Sequence, residues 1–239
     1  MRIDRFLSEC GVCSRSESAK LIRSGCVSVN GIAVKNGSEK LDPEKDEVVV
    51  SGDRVEYKKY IYILLNKPEG VVSSTDGKDG KTVVDLLPDS LRKAGLFPCG
   101  RLDKDTVGVL LLTNDGKLSH FLLSPKRHVE KKYRAVCERP VSESDLVFLE
   151  NGVDIGNGEI TMKAKTERIS DDSFFITIKE GMYHQIKRMV EKCGNKVVFL
   201  ERVSFAFLTL DSSPERGSWR YLTPEEEKKL GEYGEKKQN

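Results

Sequence analysis

Residues 100–116, GRLDKDTVGVLLLTNDG, carry Arg101, Asp103, Lys104 and Asp105 straight into the apolar run 109–112. The run VGVLLLT reads as a buried strand, approached through a turn in LFPCGRLD and closed by a turn at Asn114-Asp115-Gly116. Asp103 and Thr106 then fall on a loop at the mouth of that strand, the place where a rigid scaffold usually presents reactive groups. Burying a carboxylate beside an apolar strand costs roughly several kcal/mol unless a cation or hydrogen bonds compensate it. Asp103 therefore needs a partner.

The candidate partners lie about eighty residues on, in EGMYHQIKRMVEKCGNKV. Gly181 precedes a helical pattern whose apolar side is Ile186, Met189 and Val190, with Lys187 and Arg188 beside it. One of these cations is placed to pair with Asp103 and the other to face phosphate. His184 reads as part of a substrate wall. Asp103 and Asp105 stand at alternate positions, a spacing metal ligands use, but no third ligand group accompanies them, and the three histidines form no triad with a serine. Asp105 is expected outside the chemistry.

The first 58 residues read as a unit of their own. Ile3, Phe6, Leu7 and Cys10 have helical spacing, with Gly11 to end the helix. Ser14 is placed to cap a second helix, with Glu17 completing a capping box and Gly25 stopping it. In CVSVNGIAV two alternating runs flank Asn30-Gly31, the strongest short-range hairpin pattern, and DEVVVSG adds a further strand. Charge is sorted by segment: residues 1–36 hold six Lys/Arg against three Asp/Glu, and residues 37–58 reverse the balance. Glu56, Lys58 and Lys59 mark a linker, after which YIYILLNKP opens a second domain. SSTDGKDGKTVVDLLP reads as a loop leading into a short helix, and Thr223-Pro224 as the start of a last helix.

The bulk properties narrow the class. With 239 residues, 38% apolar and 33% charged, the chain has room for a real core, and no run approaches the length of a membrane span. The opening residues lack a secretory h-region, so a cytoplasmic protein with reduced thiols is expected. Cys10 and Cys13 have C-x-x-C spacing, but a structural zinc site takes four ligands and no second pair exists. They are expected to be buried helical thiols.

The opening segment, RIDRFLSECGVCSRSESAKLIRSGCVSVNG, resembles the small RNA-binding module first named for a ribosomal small-subunit protein, the S-four domain. That resemblance assigns Arg5, Ser14, Arg15, Lys20 and Arg23 to an RNA-facing surface, as a shape reader of structured RNA requires. Cys26 stands where that family usually has a basic or polar residue. Nearly the whole chain resembles the RsuA-type family of pseudouridine synthases, through five ordered blocks: the leading module, NKPEGVVSST, GRLDKDTVGVLLLTNDG, VEKKYRAV and EGMYHQIKRMVEKCGNKVV. The resemblance implies an α+β protein: an α/β RNA-binding module at 1–58, a catalytic domain at 59–230 with a mixed, largely antiparallel sheet, and a frayed tail at 231–239.

By the same resemblance Asp103 is the catalytic aspartate, Tyr133 packs against the target base, and Lys187 pairs with the aspartate. Arg101 and Thr106 support the loop and Ile186 supports the helix, while His184, Gln185 and Arg188 join the RNA surface. Lys187 stands where many relatives have arginine, and so lacks the two-pronged grip on a carboxylate. Cys99 stands where valine is common. The implied reaction breaks the bond from ribose C1′ to uracil N1 and makes one to C5, with no metal or other cofactor. Asp103 either attacks C1′ or removes the C2′ proton, and a base out of its stack is read by stacking and edge contacts. Residues 180–189 look most like members acting on small-subunit 16S ribosomal RNA. The expected partner is therefore ribosomal RNA within a small-subunit assembly intermediate, met by a monomer. The alternatives are a large-subunit enzyme of the same family and a non-catalytic ribosome-assembly protein.

Overall fold

The computed structural model describes residues 1–57, 59–210 and 215–235. The chain divides into two compact units, 1–61 with 84–97, and 62–83 with 98–239. The division is not one cut near residue 58: residues 84–97 pack with the first unit, although they follow the first strand of the second.

In the first unit α1 (Ile3–Glu9) and α2 (Arg15–Arg23) precede β1 (Val27–Val29), β2 (Ile32–Ala33), β3 (Val48–Val50) and β4 (Asp53–Val55). The local chemistry is as the sequence predicts. Ser14 accepts a hydrogen bond from the Glu17 amide while Glu17 accepts from the Ser14 amide, and Gly11 and Gly25 take the left-handed conformation after each helix. Asn30 and Gly31 both have positive φ and turn the β1–β2 hairpin. The strands pair antiparallel in the order β2-β1-β3-β4. Ile3, Phe6, Leu7, Ile22, Val27 and Val48 form the core, whereas Ile32 stays exposed on the outer strand. Cys13 is buried and Cys10 half-buried, and burial pushes the Cys10 thiol up to about 12, so it is no thiolate at neutral pH. The 84–97 return contains α3 (Asp89–Lys93), whose Ser90 backbone lies close against Gly11.

The second unit is built on β5 (Tyr62–Lys67), β7 (Val107–Thr113), β8 (Lys131–Cys137), β9 (Lys165–Arg168), β10 (Ser173–Ile178), β11 (Val197–Phe205) and β13 (Trp219–Tyr221). Among the described residues these form a nine-stranded sheet with the short β6 (Phe97–Pro98) and β12 (Leu208–Thr209), in the order β13-β5-β7-β11-β8-β10-β9. Along this order only β7 and β11 are parallel, so the sheet is mixed and largely antiparallel. Every residue of β7 is buried, which is why its sequence is a continuous apolar run rather than an alternation. The helices are α4 (Gly116–Leu123), α5 (Glu143–Glu150), α6 (Gln185–Lys192) and α7 (Pro224–Glu235). Asp115 does more than close a turn: its side chain accepts from the Leu118 amide and caps α4. Thr223 caps α7 as expected, and that helix runs to Glu235, into the segment expected to fray; 236–239 lie outside the described residues.

The loop 99–106 is fixed from beneath. Lys67 is fully buried at the end of β5, and its Nζ donates to the carbonyls of Pro68, Asp103, Lys104 and Thr106 at 3.2, 3.0, 3.3 and 2.8 Å. Burial pushes its pKa down to about 8, which leaves it largely protonated at neutral pH. Ser73 Oγ adds a reciprocal pair, accepting from the Leu102 amide and donating to the Leu102 carbonyl. In register, Gly108 lies opposite Lys67 on one side and Arg202 on the other. It has φ +102°, and a Cβ there would lie 2.3 Å from the Arg202 carbonyl oxygen.

Two outcomes follow for stability. Gly108→Ala must part β7 from β11 or strain its backbone, and we expect a loss of about 3 kcal/mol in chemical denaturation. Lys67→Met keeps the apolar stem but strands four carbonyls, so we expect about 3 kcal/mol lost and faster amide hydrogen exchange across 102–106.

Candidate active site

The sheet and α6 bring the two distant blocks together. Tyr133 from β8, Ile178 from β10 and Leu200 from β11 line a cavity of about 70 Å³ with Arg101, Leu102, Asp103, Thr106, Gly181, Met182 and residues 184–187. Asp103, His184 and Lys187 also border a wider cleft of about 450 Å³, within the size range of ligand sites, with Glu69, Gly70, Lys104 and Asp105. Tyr133 is nearly buried, and its register partners are Arg202 and Ile176 on the neighbouring strands.

Asp103 has the partner its position requires. Lys187 Nζ lies 3.0 Å from Asp103 Oδ2, and His184 Nε2 lies 3.6 Å from Asp103 Oδ1. Asp103 is half-buried rather than fully buried, with 27% of its side chain exposed. The same ammonium is also 2.6 Å from Asp105 Oδ1, so Asp105, expected outside the chemistry, shares the cation with Asp103. Burial opposes the charge on Lys187, but hydrogen bonds to Asp105 and Asp103 outweigh it and raise its pKa. Partial burial likewise opposes the Asp105 charge, and the Lys187 bond overrides it to hold that carboxyl below its ordinary range.

Other expected site residues have different work. Arg101 is exposed and makes no side-chain hydrogen bond among the described residues; Lys67 and Ser73 hold the loop in its place. Thr106 lines the cavity, its amide donates to the Asp103 carbonyl, and its buried hydroxyl has no partner among the described residues. Ile186 is buried beneath the site. Gln185, expected on the RNA surface, lines the cavity, but its amide is not free: it donates to Glu180 at 2.7 Å and accepts from the Met182 amide. Arg188 is not free for phosphate either. Its guanidinium donates to the carbonyls of Ile155, Gly156 and Tyr183 and pairs with Glu159 at 2.7 Å.

On the first unit Arg15, Lys20 and Arg23 are exposed, and Arg15 and Lys20 have no carboxylate partner among the described residues. Arg5 is paired with Glu9 at 2.7 Å, and Ser14 spends its hydroxyl on the helix cap. Lys67 is the residue sequence reading missed. It lies in the block NKPEGVVSST, and a lysine ending an apolar strand directly before proline was the available sign.

Residues 61–192 match the RNA pseudouridylate synthase family, and residues 1–48 match the S4 domain. The chain is 44% identical to an uncharacterized RNA pseudouridine synthase, YtzG, of Bacillus subtilis, covering 95% of this chain and 96% of that one. It is 41% identical to ribosomal small subunit pseudouridine synthase A of Haemophilus influenzae, covering 96% and 99%. A crystal structure of a pseudouridylate synthase superposes with a TM-score of 0.68 at 39% identity, covering 96% of this chain and 99% of that one. Over almost its whole length the chain is thus similar to these relatives, and it belongs to the family of RNA pseudouridine synthases.

Proposed function

We propose that the chain isomerises one uridine of small-subunit ribosomal RNA to pseudouridine, with Asp103 as the carboxylate that acts at the ribose. The observation that carries the reading is the Asp103–Lys187 pair at 3.0 Å, on the shared edge of the two cavities and in company with Tyr133. Relatives named for the ribosomal small subunit, in Haemophilus influenzae and Vibrio cholerae, align over nearly the full chain and support the choice of RNA. A single copy of the chain meets that RNA in an assembly intermediate in the cytoplasm.

The residues divide the work. Asp103 faces the sugar as an anion, whether it attacks C1′ or removes the C2′ proton, and the Lys187 ammonium holds it in place. Asp105 shares that ammonium, so Asp103 is oriented without being fully neutralised. Tyr133 offers a flat wall to the uracil while it is detached and turned to present C5, and His184 closes the opposite edge. Taking the nucleotide out of its stack costs roughly a few kcal/mol, which interactions with the flipped base and its flanks must supply. The exposed Arg15, Lys20 and Arg23 of the first unit grip the phosphate backbone.

Tritium release from C5-labelled uridine in a small-subunit RNA fragment, with binding followed in parallel, tests the assignment. Asp103→Asn is expected to release none while its RNA affinity stays within a few fold, because it removes a group used only in the transition state. Lys187→Met should be severely impaired. Asp105→Asn should lose about tenfold, ~1.4 kcal/mol, since Lys187 then belongs to Asp103 alone. Normal turnover by Asp103→Asn would show that another carboxylate acts. For the first unit, replacing Arg15 and Lys20 with Gln should weaken binding and flatten the dependence of log affinity on log salt by about 0.7 for each phosphate no longer neutralised. An unchanged slope would place the RNA elsewhere.

A further inference from the structure

Tyr183 is a large hydrophobic side chain left 74% exposed, and it directly precedes His184, which lines the cavity. Its ring lies parallel to that of His184, with centroids 3.9 Å apart and planes 16° apart. Consecutive side chains rarely stack, because in extended or helical backbone they diverge. Here His184 takes the left-handed conformation, φ 48° and ψ 34°, which brings its ring against Tyr183. A non-glycine residue in that region stores strain of about 1 kcal/mol or more, and such strain clusters at functional sites. An exposed aromatic is thus kept against a strained residue that itself lines the cavity.

The surrounding bonds hold this arrangement rigid. Arg188 donates to the Tyr183 carbonyl at 3.1 Å and is itself anchored on Ile155, Gly156 and Glu159. The Met182 amide donates to Gln185, which is bonded in turn to buried Glu180. Both sides of the Tyr183–His184 step are pinned by buried or half-buried side chains. His184 Nε2, on the inner ring of the stack, is 3.6 Å from Asp103. The outer ring therefore stands one stacking layer from the catalytic edge.

Resting on the reading that Asp103 acts on a flipped uridine, we infer that Tyr183 is a stacking platform for the nucleobase next to that uridine. Removing a nucleotide from a stack leaves its neighbour with one bare face, and a pre-set aromatic surface can cover that face. Stacking of a base on an aromatic side chain is sequence-tolerant and worth about 1–3 kcal/mol by alanine substitution. The chemistry asks for a planar ring rather than a hydroxyl, and a purine gains more than a pyrimidine. Tyr183 acts on the RNA beside the target and takes no part in bond making.

The test uses the full chain and a small-subunit RNA fragment containing the target uridine. Tyr183→Ala should lose about tenfold or more in kcat/KM for tritium release, while Tyr183→Phe and Tyr183→Trp stay near the parent. Placing an abasic site at one neighbour of the uridine should erase the difference between Tyr183→Ala and the parent. An equal loss on intact and abasic RNA, or no loss on intact RNA, overturns the platform. A second readout does not depend on turnover: 2-aminopurine at the same neighbour should be quenched on binding to the parent and to Asp103→Asn, but not to Tyr183→Ala. Quenching without tritium release by the parent would overturn the assigned reaction and leave the platform standing. Tritium release with no Tyr183-dependent quenching would do the reverse.

Discussion

One buried ammonium determines where the site can form. Lys67 ends β5 inside the protein, and it faces main-chain carbonyls rather than a carboxylate. A carbonyl cage satisfies the three N–H donors of an ammonium while leaving every acidic side chain nearby unspent. The loop 103–106 is thereby fixed through its backbone, and Asp103 and Asp105 keep their carboxylates for Lys187. Had the buried cation paired with Asp103 instead, it would have neutralised the group proposed to act at the ribose. Desolvation keeps the Lys67 ammonium marginal, at about 8, so the site rests on a group held charged by a narrow margin.

The sheet aligns this loop with the rest of the site. Lys67, Gly108, Arg202, Tyr133 and Ile176 occupy one row across five strands. Gly108 is the narrow point of that row, where β7 passes so near the Arg202 backbone that no side chain fits. The parallel β7–β11 pairing puts the loop before β7 beside the wall formed by β8 and β10. Tyr133 is therefore held by a strand, and Asp103 by a loop anchored between strands; positional precision of this kind is what the proposed chemistry requires.

Charge is distributed unevenly around Asp103. Lys187 serves two carboxylates, so the cluster of Asp103, Asp105 and Lys187 carries a net negative charge before RNA arrives. Arg188, one residue on, is committed to the hairpin at 154–160 and contributes shape rather than charge to the surface. The basic groups available to phosphate lie instead on α2. The proposed function thus assigns attraction to the RNA backbone and chemistry at the base to different parts of the chain, and the second part can keep an anionic centre.

Much of this was legible in the amino-acid order, and the reason is locality. The Ser14–Glu17 box, the Asn30-Gly31 hairpin, the buried run of β7 and the apolar side of α6 depend on residues within a few positions, so spacing alone identifies them. That Asp103 needs a partner followed from the cost of an unpaired carboxylate; the α6 segment was the candidate to supply it, and the choice of Lys187 came from the family resemblance. What spacing could not decide was how each polar residue is used. Gln185 and Arg188 look as available as Lys187 in the helix pattern, yet Glu180 and the 154–160 hairpin draw them inward. Asp105 joined the ion pair, and support of the loop fell to Lys67 and Ser73 rather than Arg101, because side-chain partners are set by elements far apart in sequence. The return of residues 84–97 to the first unit has the same origin. Local sequence determined the elements and the chemical groups, while tertiary packing decided which of those groups were spent on the fold and which were left for RNA.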